Sequence, residues 1–269
     1  MTGVGIGLTV AQPMSGVSGA GARPWTPQDL PALRAWWDAS DRGTMTLDGA
    51  ALGQWRDKVG GIVWTQDTAA SRPQWNATAR NGTPGVILSG GRTMAGGIGG
   101  LPLAAAARSM LVSAWSDEPA VGRVVFGWGR FARGQMMCLR VGTRSDAMRI
   151  DKHSNPENAT VTWDGKDRCV IHTRDAGTTG TFAFWVDGTA GGSGTGAGMA
   201  TATGGSQLGS YPDGSNVPEA TVVQQILVFD DVLTTEARHR LEGWESHKTG
   251  KGGWNLPEGH PFRAAPPMV

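Results

Sequence analysis

The stretch TVVQQILVFDDVLTTEARHRLEGWESHKTG, residues 221–250, decides the fold class. Its first nine residues, Thr221 to Phe229, are the longest apolar strand-like run in the chain, which predicts a central strand. A helix follows. Thr234 is placed to cap it, Glu236 falls in its first turn, and Ala237, Leu241 and Trp244 recur at i, i+4 and i+7. Lys248 falls in the last turn and Gly250 can end it, so the helix spans about residues 234–249. It is the one helix that the periodicity supports.

Upstream, strand-length runs rich in β-formers repeat between turn residues. Val86 to Leu88, Met110 to Trp115, Arg123 to Trp128, Met136 to Val141 and Thr181 to Val186 all read this way. Thr160 to Trp163 and Arg168 to Thr173 flank Asp164-Gly165, a pattern that predicts a hairpin. Residues 190–205, AGGSGTGAGMATATGG, read as a flexible loop, with a Gly-rich edge strand as the alternative. Many strands with one late helix predict an all-β, two-sheet antiparallel sandwich closed by a helical flap. Glycine, 42 of 269 residues, stands at about twice the usual roughly 7%, which suits short strands and tight turns better than helices.

The ends of the chain carry a resemblance. LRAWWDASD (33–41), QWRDK (54–58), Arg72-Pro73, FWVDG (184–188), VFDDVLT (228–234), LEGW (241–244) and LPEGHPF (256–262) resemble the motifs of the concanavalin A-like, laminin-G-like jelly-roll family. That family occurs in bacterial surface proteins and phage structural proteins. The match spans roughly residues 30–266 and is loose across 90–180; Val59 stands where the family often has Ser. The resemblance implies a jelly roll over residues 25–269, with Trp36, Trp55 and Trp244 in the core. It also implies that Glu242, His247 and His260 tie the flap to the sandwich, ahead of a C-terminal tail, 254–269.

Residues 1–24 differ from the rest: glycine and small residues dominate, and no core can form from them. Val4, Ile6, Leu8 and Val10 alternate with small residues, a period that suits an anchoring arm adding a strand to a partner's sheet edge. A disordered tail is the competing reading. The segment has no basic residue before Arg23 and its apolar run is broken by glycines, so it is a poor signal peptide. No run approaches the ~18 apolar residues of a membrane span. Synthesis in a bacterial cytoplasm, without the usual export, is the expectation, and Cys138 and Cys169 are then expected as reduced thiols, with a disulfide as the alternative.

The formal charge is +1, from 24 basic and 23 acidic residues, without the basic excess of a nucleic-acid binder. Arg123, Arg130, Arg133, Arg140, Arg144 and Arg149 cluster loosely, in the spacing of solvated strand faces. Glycoside hydrolysis needs two carboxylates about 5–9 Å apart, and a single strand would show them as an E-x-D-x-x-E run, which the chain lacks. Zincin, paired C-x-x-C, G-x-S-x-G and Walker patterns are also missing. The expectation is therefore a binding module without catalytic activity.

Tryptophan, 12 residues against 1 tyrosine, is the remaining clue, because an aromatic face can stack on the C–H side of a sugar ring. Trp128 with Arg130 and Arg133, and Tyr211 with Asp213 and Asn216, form the candidate glycan site. No cofactor is required. Calcium would have Asp213 with Asn216, or Asp151 with Asn155, as oxygen ligands, although both read as ordinary turns. The expected function is a virion or phage-like particle surface protein, a head fibre, spike or tail attachment protein. Its arm would meet capsid or tail subunits, its sandwich would bind host surface polysaccharide, and it would assemble as a homo-oligomer. A structural decoration protein without sugar binding and a bacterial surface lectin are the alternatives.

Overall fold

The computed structural model describes residues 23–117, 123–141, 148–163 and 165–269. The anchoring residues Val4, Ile6, Leu8 and Val10 lie outside them. The described chain is all β with one C-terminal helix. Its first strands are β1 (Leu33–Asp38), β2 (Met45–Asp48), β3 (Ala51–Arg56), β4 (Val63–Thr65), β5 (Gln74–Arg80) and β6 (Thr83–Ile87). Next come β7 (Met94–Gly96), β8 (Arg108–Ser116), β9 (Arg123–Gly129), β10 (Met136–Val141), β11 (Arg149–Asp151) and β12 (Glu157–Asn158). The last are β13 (Lys166–Arg174), β14 (Gly180–Val186), β15 (Thr189–Gly196), β16 (Gly205–Leu208) and β17 (Thr221–Phe229), followed by helix α1 (Thr235–Lys248).

Every strand pairing among the described residues is antiparallel, and all strands but β1 and β2, which branch from β17 and β3, lie on one path. From β15 it runs through β14, β13 and β8 to β17. From β17 it continues through β6, β5, β3, β4, β7, β16 and β9 to β10, β11 and β12. Strand β12 then lies against β15, so the path is nearly closed.

Strand β17 is the junction. One edge pairs with β8 along its length; on the other, Val222 and Val223 pair with β6 and Gln225 to Phe229 pair with β1. The register shifts between Val223 and Gln225, where the partner changes, as a bulge at Gln224 would produce. Alternation shifts with it: Val223, Ile226 and Val228 face the main core, while Leu227 and Phe229 face α1. Burial on both faces explains why nine consecutive residues are buried and why the run is mostly apolar without strict alternation.

The main core is aromatic. Trp37 stacks on Trp64 with centroids 3.8 Å apart, Phe126 tilts against both, and Trp55 meets Trp64 edge-on. On the other side of the sheet, Leu241 and Trp244 of α1 cover Leu111, Ile171, Leu227 and Phe229. Thr234 caps α1, accepting from Ala237 N, and Gly250 ends it at φ +75°. The tail crosses the helix so closely that a Cβ on Gly243 would lie 2.2 Å from Phe262. Glu242 bonds His260, and His247 bonds the Phe262 carbonyl, so these residues tie the flap to the tail and not, as the resemblance implied, to the sandwich. Trp36 and Trp55 are buried as well. Cys138 and Cys169 are free and sit in separate clusters.

One local expectation fails, and for the glycine-rich segment the edge-strand alternative holds over its first half. Thr160 to Trp163 is not a strand, and β13 pairs with β8 and β14 instead of forming that hairpin. Trp163 turns inward and donates its indole N–H to Ala114 O. The glycine-rich segment is β15 over its first half, paired to β14 through a turn in which Asp187 and Gly188 both have positive φ. Its glycines serve close approach. A Cβ on Gly196 would lie 2.1 Å from the Glu157 carboxylate.

Candidate functional site

A cleft of about 760 Å3 opens where the start of β13, the β14–β15 turn, the β5–β6 turn and the tail after α1 meet. Lys166, Asp167 and Arg168 come from β13, Asp187 and Thr189 from the β14–β15 turn, Asn81 from the β5–β6 turn, and Trp254 and Asn255 from the tail. The indole of Trp254 is 68% exposed. Its backbone is nevertheless fixed. Gly253 has φ +83° and sits so close to Arg263 that a Cβ would fall 1.8 Å from that carbonyl oxygen. Trp254 N donates to Lys251 O, Asn255 Oδ1 accepts from Ser246 Oγ, and Asn255 Nδ2 donates to Asp187. Lys251 itself is fully buried on the equally buried Glu245, 2.8 Å away; burial lowers its pKa, but the charges of Glu245 and of the neighbouring Cys169 and Asp187 together raise it above the ordinary value.

The acids of the cleft are already matched. Asp167 takes two hydrogen bonds from Arg80, and Asp187 accepts from Arg168 and from Cys169 N. Lys166 is exposed and has no partner among the described residues. The arrangement offers a fixed aromatic face, amide and hydroxyl partners, and one free ammonium. Such a mixture, mostly apolar with a few convergent polar groups, is what small-molecule sites present.

The sequence-derived site is arranged otherwise. Trp128 is fully buried, packs on Phe126 and donates to Pro102 O, so no sugar can reach its face. Arg130 and Arg133 are exposed on a turn whose Phe131 packs against Tyr211 and His153. Tyr211 is 5% exposed and donates to Asp151; burial first, and then that carboxylate, raise its pKa. Asp213 accepts from Ser215 N and Oγ, an ordinary turn, and the carbonyl of Asn216 accepts from Val124 N. The two turns thus meet, but around a buried phenol.

Of the two calcium readings, the one on Asp151 meets a carboxylate already engaged. Asp151 is taken by Arg140, Tyr211 and His153 N, and although burial raises its pKa the bonds from Tyr211 and Arg140 bring it below the ordinary value. His239, Glu242 and His260 do bring donor atoms within 4.8 Å of one another. The Arg238 guanidinium already occupies that position, bonding both Glu242 oxygens and meeting His239 Nε2. His260 Nδ1 accepts from Phe262 N, which leaves the proton on Nε2, facing Glu242. These residues do not fit a metal ion.

Inside the body, Glu157 on β12 gathers Lys152, His172 and Arg174, all fully buried. Burial pushes the Glu157 carboxyl up, but the His172 and Lys152 contacts outweigh it and hold it at about 2. His172 is driven down, by burial first, against the pull of Glu157. The cluster joins β11–β12 to β13 and β15, and Arg174 also donates to the Gly196 carbonyl.

No protein-family profile matches the chain, and no curated protein matches it. Solved structures do. A Trypanosoma rangeli sialidase aligns with 81% of this chain and 34% of its own, at TM-score 0.51 and 14% identity. A GH54 α-L-arabinofuranosidase aligns with 75% of this chain and 51% of its own, at TM-score 0.54 and 15% identity. The receptor-binding domain of botulinum neurotoxin type G aligns with 78% of this chain and 50% of its own, at TM-score 0.53 and 8% identity. The chain spans about a third to a half of these proteins. Such identities carry the fold alone. They do correct the expectation of a module without catalytic activity: this fold is one that a sialidase and an arabinofuranosidase contain, and missing sequence signatures do not separate the chain from such enzymes.

The Trp254 cleft went unseen in the sequence because its parts lie in four segments between Asn81 and Asn255. One signal was present. Gly252-Gly253 directly before a tryptophan, in a polar tail, marks a backbone at positive φ, too crowded for a side chain at Gly253, that nonetheless displays an indole.

Proposed function

We propose that the chain is a carbohydrate-recognition domain of a phage or phage-like particle, with the Trp254 cleft as its sugar site. The observation that carries this is an indole 68% exposed on a backbone held by glycine packing and hydrogen bonds at both neighbours. A large exposed aromatic on a rigid support stays in place without the entropy cost of ordering a mobile one. Asn81, Thr189 and Lys166 stand beside it to meet hydroxyls. The names of the similar sialidase and arabinofuranosidase, both sugar enzymes, agree with carbohydrate as the ligand class.

In this reading the nearly closed antiparallel path is a two-sheet jelly roll of the concanavalin A-like kind, which the motifs at both ends of the chain resemble. The segment before Arg23 serves as the anchoring arm to capsid or tail subunits, host surface polysaccharide is the ligand, and copies of the chain form a homo-oligomer. Residues 23–25 belong to the body: Pro24 bridges Met268, Val269 N donates to Arg23 O, and Trp25 is buried.

A glycan array probed with the wild-type chain and with Trp254→Ala tests the sugar site. Binding that falls at least tenfold in the variant, with melting unchanged, is expected. An array without binding, or binding indifferent to the substitution, overturns the reading. Deleting residues 1–22 should leave melting unchanged and abolish incorporation into the parent particle; full occupancy of the truncated chain would refute the anchoring role.

A further inference from the structure

Trp254 stands between two depressions. One is the cleft of about 760 Å3; the other, about 410 Å3, is lined by Gly252, Gly253, His260, Pro261, Arg263 and Ala264, with Trp254 shared by both. Each falls within the ~300–1,000 Å3 of a whole small-molecule site. A ligand that fills both must therefore be an oligomer crossing the indole.

Charge is distributed to match. In the larger depression Asp167 is matched by Arg80 and Asp187 by Arg168, which leaves Lys166 as the unbalanced cation. In the smaller one His260 is bonded to Glu242, itself paired with Arg238. Arg263 is exposed, and its guanidinium has no partner among the described residues. Glu258 is exposed nearby in sequence but lines neither depression. Each depression thus holds one free cation, and the indole lies between them.

We infer that the site takes an acidic oligosaccharide laid across Trp254, one ring stacked on the indole and a carboxylate at each of Lys166 and Arg263. This rests on the reading of the cleft as a sugar site. Lys166 is a point charge on a flexible stem, whereas Arg263 presents a planar fork suited to bidentate contact with a carboxylate. Exposed ion pairs contribute little individually, so each cation is expected to account for about a two- to fivefold change in affinity at low salt.

The test is an array carrying uronate- or sialate-bearing glycans alongside neutral ones, probed with the full chain. Calorimetry on the tightest acidic binder and its carboxyl-reduced form follows, with Lys166→Gln, Arg263→Gln and Trp254→Ala. The expected result is selection of acidic glycans, weaker binding after carboxyl reduction, and two- to fivefold losses in each Gln variant that shrink when NaCl is raised from 50 to 500 mM. Selection of neutral glycans with binding lost in Trp254→Ala overturns this inference and leaves the sugar site standing. So does acidic binding that both Gln variants retain in full. An array without binding of either class overturns the sugar site, and the inference with it.

Discussion

Trp244→Ala should destabilise the fold by ~3–5 kcal/mol, the range for buried Trp or Phe truncations. Trp244 is 8% exposed and belongs to the cluster that seats α1 on β8, β13 and β17. A buried tryptophan removes ~150–250 Å2 from water, which at ~25 cal/mol/Å2 corresponds to ~4–6 kcal/mol before the site relaxes. Its ring meets Trp36 edge-on at 5.5 Å, a contact contributing a further ~0.5–1.5 kcal/mol. Collapse of neighbours into the space offsets part of this. Trp36 is held by its N–H on Gln225 Oε1, and Leu241 by the helix backbone, so collapse is limited. Urea unfolding followed by circular dichroism measures the change as a shift in midpoint at constant m. Trp254→Ala is the internal control: at 68% exposure it should stay within about 0.5 kcal/mol of wild type. A Trp244→Ala loss below ~1 kcal/mol would refute the packing of the flap.

Acid sensitivity follows from two buried groups. His172 is held below its ordinary pKa, so it stays neutral in the fold while the unfolded chain takes up a proton near pH ~6.5; stability is full above that value and falls as pH drops through it. Urea midpoints at pH 7.5 and 5.5 should diverge less in His172→Gln than in wild type, and equal losses would count against this. Glu157, held at about 2, adds a second loss beginning near pH ~4.5 and completed only as pH approaches 2. Burial raises the pKa of both Cys138 and Cys169, so the native thiols should react slowly with a disulfide reagent, whereas denatured, unreduced protein should yield two free thiols. Zero thiols after denaturation would show that the cysteines are oxidised.

Strands buried on both faces and the capped helix were legible because they obey one-dimensional patterns. Thr221 to Phe229 is apolar at six of nine positions, and Thr234, Leu241 and Trp244 carry the helix on local spacing alone. The misreadings share a cause. Trp128 reads as a surface residue beside Arg130, yet chain path buries it against Pro102, whose carbonyl takes its N–H; Gly191 to Gly196 reads as a loop before it reads as an edge strand, yet the glycines admit Glu157 and Val186 to a strand. In both cases the decisive neighbour lies far away in sequence or across a sheet. Trp254 was missed for the same reason, since Lys166 and Asn81 reach it only through the fold.

Because β17 fills the slot between β1 and β8, those two strands have no partner for those edges until residue 229 has left the ribosome. Edges of β1, β6 and β8 must wait for one late segment. A nascent chain stalled before Thr221 therefore displays the open edges most prone to pair with another molecule. Folding yield should depend on synthesis rate and chaperone supply more steeply than equilibrium stability does, and a peptide spanning residues 219–231 would have the shape to complete such a stalled chain.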